Sequence, residues 1–310
     1  MTSGARLTEH FRAEVQRALP LPGGGRTGER FDALFRVARS DMALGRLVEA
    51  HHDAHAIAAE LGCPVADGDA LYGVWAASGA EPVLATTDAA AYRLTGTLPW
   101  CGGATIVDRA IVVASLAGRN ELFDVATADL QVLTDGPVWS SPAFAEIGTT
   151  SVGFSDVPAT LLRSSGSATY LHRPGFWHGA IGVAACWAGG AAGLFDAHRA
   201  HWRRRDPHAL AHFGGADAEL ATIDAVLRQA AAQIDADPDD IGSAQLRALR
   251  VRHAIDRAAT RMIEHLQVGA GPAPLAYAPE VIMRTQQLTM SLRQCHGERD
   301  LEALGTTLLT

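Results

Sequence analysis

The residues with the clearest capacity for proton or metal chemistry are histidines. His296 stands four residues before Asp300, one helical turn away. A carboxylate at that spacing can pair with the imidazole across one turn, and histidine is the side chain best suited to take a proton near physiological pH. The same stretch also suits a purely structural Arg299–Asp300 ion pair closing the last helix. His178, beside Trp177 at the head of a long apolar run, is a second candidate base. His51 and His55 are one turn apart, with His52 beside them, but no carboxylate follows at zinc-motif spacing. A solvated helix face is the expectation there, and no metal site is assigned.

Several glycine and basic motifs carry less. GGAAG (residues 189–193) has the look of a dinucleotide fingerprint, yet no strand precedes it, and small residues that let two helices approach explain it better. No Walker-type loop and no Gly-x-Ser-x-Gly elbow is present, which disfavours nucleotide hydrolases and α/β-hydrolases. HWRRR (residues 201–205) is a basic run at a helix end, where positive charge meets the C-terminal dipole. Its arginines can also meet a phosphate.

The elements that must position these residues change character twice. Over residues 7–61 the apolar period is helical, with stripes at Leu7, Phe11 and Val15, then Phe31, Leu34 and Phe35, then Leu44, Leu47, Val48 and Ile57. Ser40 or Asp41 can cap the third helix, and Gly62 with Pro64 stops it. Short β-prone runs follow at 82–87, 92–95, 106–115, 122–127, 130–133 and 150–154. Helical patterns return at 181–200, 220–234, 244–266 and 281–304, with a loop at 269–274. Helices, strands, then helices is an α+β order, since a doubly wound sheet would alternate them. Segments 1–71, 72–172 and 173–310 are the expected domains.

Composition sets the outer limits. The 310 residues are 48% hydrophobic and 19% charged, with a net charge of −8. This is a globular composition that does not favour a nucleic-acid partner. No run of about 18 consecutive apolar residues marks a membrane span, and the N-terminal residues carry charges where a signal peptide needs an apolar stretch. Four scattered cysteines form no C-x-x-C pair, so free thiols and a cytoplasmic location are expected.

Four segments, taken in order, resemble the acyl-CoA dehydrogenase superfamily. They are YRLTGTLPWCGGA (92–104) with DRAIVV (108–113), GTTSVGFSDVP (148–158), RPGFWHGAIG (173–182), and QVGAG (267–271) followed by Arg284 and HGERDLEALG (296–305). The resemblance implies N-terminal helices, a β-barrel-like middle domain and a C-terminal four-helix bundle. It implies FAD as cofactor and a homodimer or homotetramer. Trp100 would wall the flavin, and Cys101, Gly102 and Gly103 would offer N–H groups to its rim. Arg204 or Arg205 would meet the pyrophosphate, and Gln267, Gly269 and Gly271 the adenine end. The substrate would be an acyl-CoA or a related thioester, losing hydride to the flavin.

Two departures limit that reading. The helical segment before the strands spans only about seventy residues, shorter than the family's usual N-terminal domain. The family's glutamate base follows the arginine matched by Arg284 by about nine residues, and that count lands on Arg293. An arginine cannot act as a base at neutral pH. The alternative position, on the helix after Gly175, has Asp196 as its nearest carboxylate. Three functions therefore stay open: an acyl-CoA-type dehydrogenase using His296, His178 or a displaced glutamate, a flavin monooxygenase fed reduced flavin, or a non-catalytic partner chain completing a heteromer.

Overall fold

The computed structural model describes residues 3–309, apart from 64, 66–67, 78, 80, 89–90, 134–138 and 163–169. Pro64 therefore lies outside the described residues. The chain divides into two compact units, one from Met1–Ala18 with Leu47–Phe176, the other from Leu19–Arg46 with Trp177–Thr310. Segment 1–71 is thus shared between the two.

In the first unit, helix α1 (Ser3–Glu14) buries Leu7 and Phe11 along the expected stripe, while Val15 falls just past its end. Among the described residues seven strands follow: β1 (Tyr72–Trp75), β2 (Leu84–Asp88), β3 (Ala91–Cys101), β4 (Arg109–Leu116), β5 (Arg119–Ala126), β6 (Gln131–Val132) and β7 (Thr150–Leu162). Hydrogen bonding runs β4-β2-β3-β7-β5, and β5 pairs back onto β4, so five strands close a small barrel. β1 lies parallel to β4, and β6 lies antiparallel to β7. Closure removes the open sheet edges that invite misassociation. Ile111 and Val112 are buried, as a core strand requires.

Helix α3 (Met42–Glu60) is capped by Asp41, whose Oδ1 accepts from the N–H groups of Ala43 at 2.9 Å and Leu44 at 3.1 Å. Its Ala54 and Ile57, with Leu61, pack on Tyr72, Ile111, Leu122 and Leu162. Each such large side chain contributes roughly 1.5–3 kcal/mol on burial. Beneath them Asp124 is buried and fully occupied. One oxygen meets Arg109 Nε at 2.9 Å and the other accepts from the Tyr72 hydroxyl at 3.3 Å.

The strands run longer than their sequence signals. The run expected to end at Thr95 continues through Gly96 as a bulge inside β3, with a register shift between Leu94 and Gly96. Gly96 takes φ 137°, and a Cβ there would come 3.1 Å from Val83 Cα. Likewise β7 continues through Pro158.

The second unit is helical: α2 (Thr27–Ser40), the start of α3, then α4 (Pro174–His201) from Trp177 onward, α5 (Pro207–Ala236), α6 (Ile241–Ala270), α7 (Ala273–Tyr277), α8 (Pro279–Leu292) and α9 (Glu298–Leu309). α4 is long and apolar enough to cross a bilayer, but 83% of its most apolar window is buried in the protein. Its glycines do what close helix packing predicts. A Cβ at Gly189 would sit 2.3 Å from the Phe35 carbonyl oxygen, and one at Gly190 2.6 Å from Met42 Sδ. Gly193 leaves room for Arg284, whose guanidinium donates to the carbonyls of Arg39 at 2.9 Å and Ser40 at 3.0 Å. Arg284 thereby caps the C-terminus of α2.

Two expectations for this unit are corrected. The pattern at 281–304 is two helices, because the chain turns over 293–297 and Gly297 adopts φ 54°. The expected loop at 269–274 is helical as far as Ala270. Gly271, at φ 74°, ends α6, and α7 starts two residues later.

Candidate functional site

In the first unit, the β3–β7 register shifts between Leu98 and Cys101, and the irregularity turns Trp100 outward. Trp100 takes φ 60°, rare for a bulky residue, and remains 67% exposed. The only described ring beside it is Trp139, edge to face, with centroids 6.2 Å apart and planes at 82°. Trp139 is itself fixed by an Nε1–H bond of 2.9 Å to the Ala143 carbonyl. An exposed indole on a strained backbone, braced by a second indole, is an open apolar wall rather than core packing.

The three residues after Trp100 have different parts. Cys101 is fully buried and donates to the Leu98 carbonyl at 3.3 Å. Burial pushes its thiol up to about 12, so it is no nucleophile. The Gly102 carbonyl accepts from Trp75 Nε1 at 2.9 Å. The Gly103 carbonyl accepts from the N–H groups of Ile106 and Val107. Among the described residues no turn or loop hydrogen bond uses the N–H of Gly102 or Gly103; Gly102 is half-buried and Gly103 buried. Gly103 has φ 72°, and a Cβ would press on Leu47 and Val107.

In the second unit, the structure brings together Arg204 and Gly269. Arg204 Nη1 donates to the Gly269 carbonyl at 3.3 Å while Nε meets Asp206 at 3.1 Å. Arg205 is exposed and, among the described residues, donates to the Arg204 carbonyl at 3.5 Å. Arg203 donates to the Ala200 carbonyl, as expected for a cation at the end of α4. Gln267 and Gly269 lie on α6 rather than in a loop. The close approach that Gly269 permits is to Trp202 Cη2, 2.6 Å from where its Cβ would be.

The candidate bases differ sharply. His178 is buried, and its Nε2 lies 2.9 Å from the Pro238 carbonyl. That contact requires Nε2 to carry the proton, which makes His178 a brace between α4 and the α5–α6 turn. His296 is largely exposed. Its Nδ1 stands 3.5 Å from Asp300 Oδ1, and its N–H lies 3.3 Å from Asp300 Oδ2. Asp300 therefore pairs with His296, and no Arg299–Asp300 pair exists among the described residues. Arg293 extends to Asp256 on α6, at 3.2 Å. Asp196 is held by Arg39 at 2.7 Å and Arg199 at 3.1 Å, so neither position offers a free carboxylate.

His51 and His52 correct the expectation of a solvated face, because both are buried. His51 Nδ1 accepts from the Tyr72 N–H at 3.2 Å. Burial, with His55 nearby, pushes His51 down to about 4, so it is neutral at physiological pH. No group of three potential metal ligands converges among the described residues. Trp139 and Asp256 were not singled out by sequence. One lies in an irregular stretch and the other on a regular helix, and only the tertiary fold shows what each touches.

No family model and no curated protein matches this chain. Solved structures do match in shape. TdsC from Paenibacillus sp. A11-2, described as a dibenzothiophene monooxygenase and solved with FMN and indole, has a TM-score of 0.76 and 19% identity. The match covers 99% of this chain and 96% of TdsC. Methanesulfinate monooxygenase MsuC from Pseudomonas fluorescens has a TM-score of 0.75 and 17% identity, covering 91% of this chain and 82% of MsuC. KijD3, solved with FMN and dTDP-3-amino-2,3,6-trideoxy-4-keto-3-methyl-D-glucose, has a TM-score of 0.73 and 17% identity, covering 92% and 81%. The fold is acyl-CoA dehydrogenase-like: N-terminal helices, a barrel-like middle and C-terminal helices.

Proposed function

We propose that this chain is a flavin-dependent oxidoreductase and, within that class, a monooxygenase supplied with reduced flavin by a separate reductase. The observation that carries the choice is the Arg293–Asp256 pair. An acyl-thioester dehydrogenase needs a carboxylate at that place, and a guanidinium cannot remove an α-proton. The shape neighbours with monooxygenase descriptions support the same choice.

The residues fit a flavin. Trp100, braced by Trp139, offers a flat apolar face of the kind an isoalloxazine needs, and in this reading the N–H groups of Gly102 and Gly103 would meet its polar rim. Arg204 and Arg205 are candidate cations for a cofactor phosphate. The bound flavin supplies two electrons and the site of oxygen activation, so that one oxygen atom enters the substrate and the other leaves as water. His296 is the proposed base. Asp300 beside Nδ1 favours the proton there and leaves the Nε2 lone pair to accept a substrate proton. The C-terminal helices as a four-helix bundle, and assembly as a homodimer or homotetramer, belong to the same reading.

The test is functional. Purified protein is titrated with FMN and with FAD, then given reduced flavin, oxygen and an aromatic probe such as indole or dibenzothiophene. Hydroxylated or sulfoxidised product that depends on the protein supports the proposal, and the tighter flavin identifies the cofactor. Tightly retained FAD that an acyl-CoA bleaches under anaerobic conditions would return the chain to the dehydrogenases.

A further inference from the structure

Near its start, α5 carries His208 and His212 one turn apart, and α6 brings His265 against them. The Nδ1 atoms of His212 and His265 are 3.0 Å apart. The His208 and His212 rings lie 4.8 Å apart between centroids. His208 is exposed and the other two are half-buried, so an aqueous ion can reach them.

Both helices make room for this cluster. A Cβ at Gly215 on α5 would fall 2.8 Å from His265 Cε1 and 3.0 Å from its Nδ1. A Cβ at Gly269 on α6 would fall 2.7 Å from His212 Cβ. Each helix thus lacks a side chain where the other sets an imidazole.

Two neutral imidazoles at this separation can share one proton between their Nδ1 atoms. A cation takes that place only with both rings in the Nε2–H tautomer and turned so that their Nδ1 lone pairs meet off the line between them. With metal–nitrogen bonds of about 2.0–2.1 Å, nitrogens 3.0 Å apart subtend roughly 95° at the ion. That angle is nearer the tetragonal geometry of nickel or copper than a tetrahedral zinc site. No three donors yet converge among the described residues, so a turn of the exposed His208 ring must bring in the third.

We propose that His208, His212 and His265 bind a divalent transition-metal ion that bridges α5 and α6. The site adjoins the Arg204–Gly269 contact, since Gly269 also packs against His212, but its histidines take no part in the proposed flavin chemistry.

The test uses untagged full-length protein, stripped with a chelator and desalted, then titrated with Ni2+ in a calorimeter and followed by thermal melting. One Ni2+ per chain and a raised melting temperature are expected. His208→Gln and His265→Gln should each weaken binding by at least about tenfold. Gly215→Ala keeps all three histidines, but its methyl group displaces the His265 ring. It should weaken Ni2+ binding while the metal-free protein melts within a few degrees of the parent. Ni2+ binding that is absent, or unchanged in the His208→Gln/His265→Gln double variant, overturns the proposal.

Discussion

Arg293 Nη2 stands 3.2 Å from Asp256 Oδ1, joining the turn after α8 to the middle of α6. The carboxylate is nearly buried and the guanidinium is largely exposed, so solvent screens the pair from one side only. Removing the arginine leaves Asp256 without its counter-ion in a poorly hydrated place. Arg293→Ala should therefore lower stability by about 1 kcal/mol, more than a typical surface pair. Asp256→Asn in the Arg293→Ala background should recover part of that loss. Urea denaturation of the four proteins of this cycle measures the coupling, and a coupling near zero would mean the pair does not hold the turn.

His296 should matter for turnover and little for folding, since its ring is mostly in solvent. His296→Asn is expected to reduce kcat by about a hundredfold. The KM for reduced flavin should stay constant, so that the loss falls on kcat. Asp300→Asn should reproduce part of the effect by releasing the ring from its preferred tautomer. A His296→Asn enzyme with an unaltered kcat would remove the imidazole from the proton path.

Trp100 offers a separation of binding from stability. Its indole is 67% exposed, and its backbone sits at φ 60°, a conformation that costs a non-glycine residue on the order of 1 kcal/mol. Trp100→Gly should melt at the same temperature as the parent or higher, because the strain is relieved. Flavin affinity should fall, because the aromatic wall is lost. Both Trp100→Gly and Trp100→Ala retaining parental flavin affinity in a fluorescence-quenching titration would show that the cofactor lies elsewhere.

Much of the architecture was legible because hydrophobic period is a local property. The stripes through Phe11, Leu34 and Ile57 and the apolar centre of β4 needed only side-chain polarity. Asp41 as a cap needed only its place before a helical run. What could not be read depended on partners distant in sequence. Nothing near Gly96 distinguishes a bulge from a turn until β3 is paired with β7. His51 looks like a solvated histidine until Tyr72 covers it. Gly269 invites a loop, and only Trp202 reveals a helix position that tolerates no side chain. The candidate site divides along the same line. Trp100 was visible as an aromatic in a suggestive motif, whereas Trp139 and Asp256 had no local mark.

The glycine seam of α4 predicts a substitution whose effect opposes helix propensity. Gly189→Ala should gain roughly 1 kcal/mol from the better helix former. Its methyl group, however, would lie 2.3 Å from the Phe35 carbonyl oxygen and 3.0 Å from Arg39 N. These are backbone atoms of α2, so no rotamer change relieves the clash and the helices must separate. A net loss of about 1–3 kcal/mol is expected. Gly214→Ala on α5, with open space at its Cβ, is the control and should be neutral or stabilising. Thermal melts of the two variants decide the matter, and equal behaviour would mean the α2–α4 packing is looser than these distances imply.

The buried histidines set how stability responds to acid. His51 is pushed down to about 4, chiefly by burial and then by His55, and His198 is pushed down to about 4, chiefly by burial and then by His201. In the unfolded chain both titrate near the ordinary value of 6.5. Between these values the unfolded state binds more protons than the folded one, so stability increases with pH. The folded protein has its full histidine contribution above about pH 6.5 and loses it progressively as the pH falls toward 4. Each group accounts for on the order of 3 kcal/mol across that interval. His51→Gln removes one titration, and its amide oxygen can still accept from the Tyr72 N–H. Urea denaturation from pH 7 to pH 4.5 should give a clearly shallower fall in stability for His51→Gln than for the parent. Superimposable curves would show that the His51 imidazole is already charged in the folded protein.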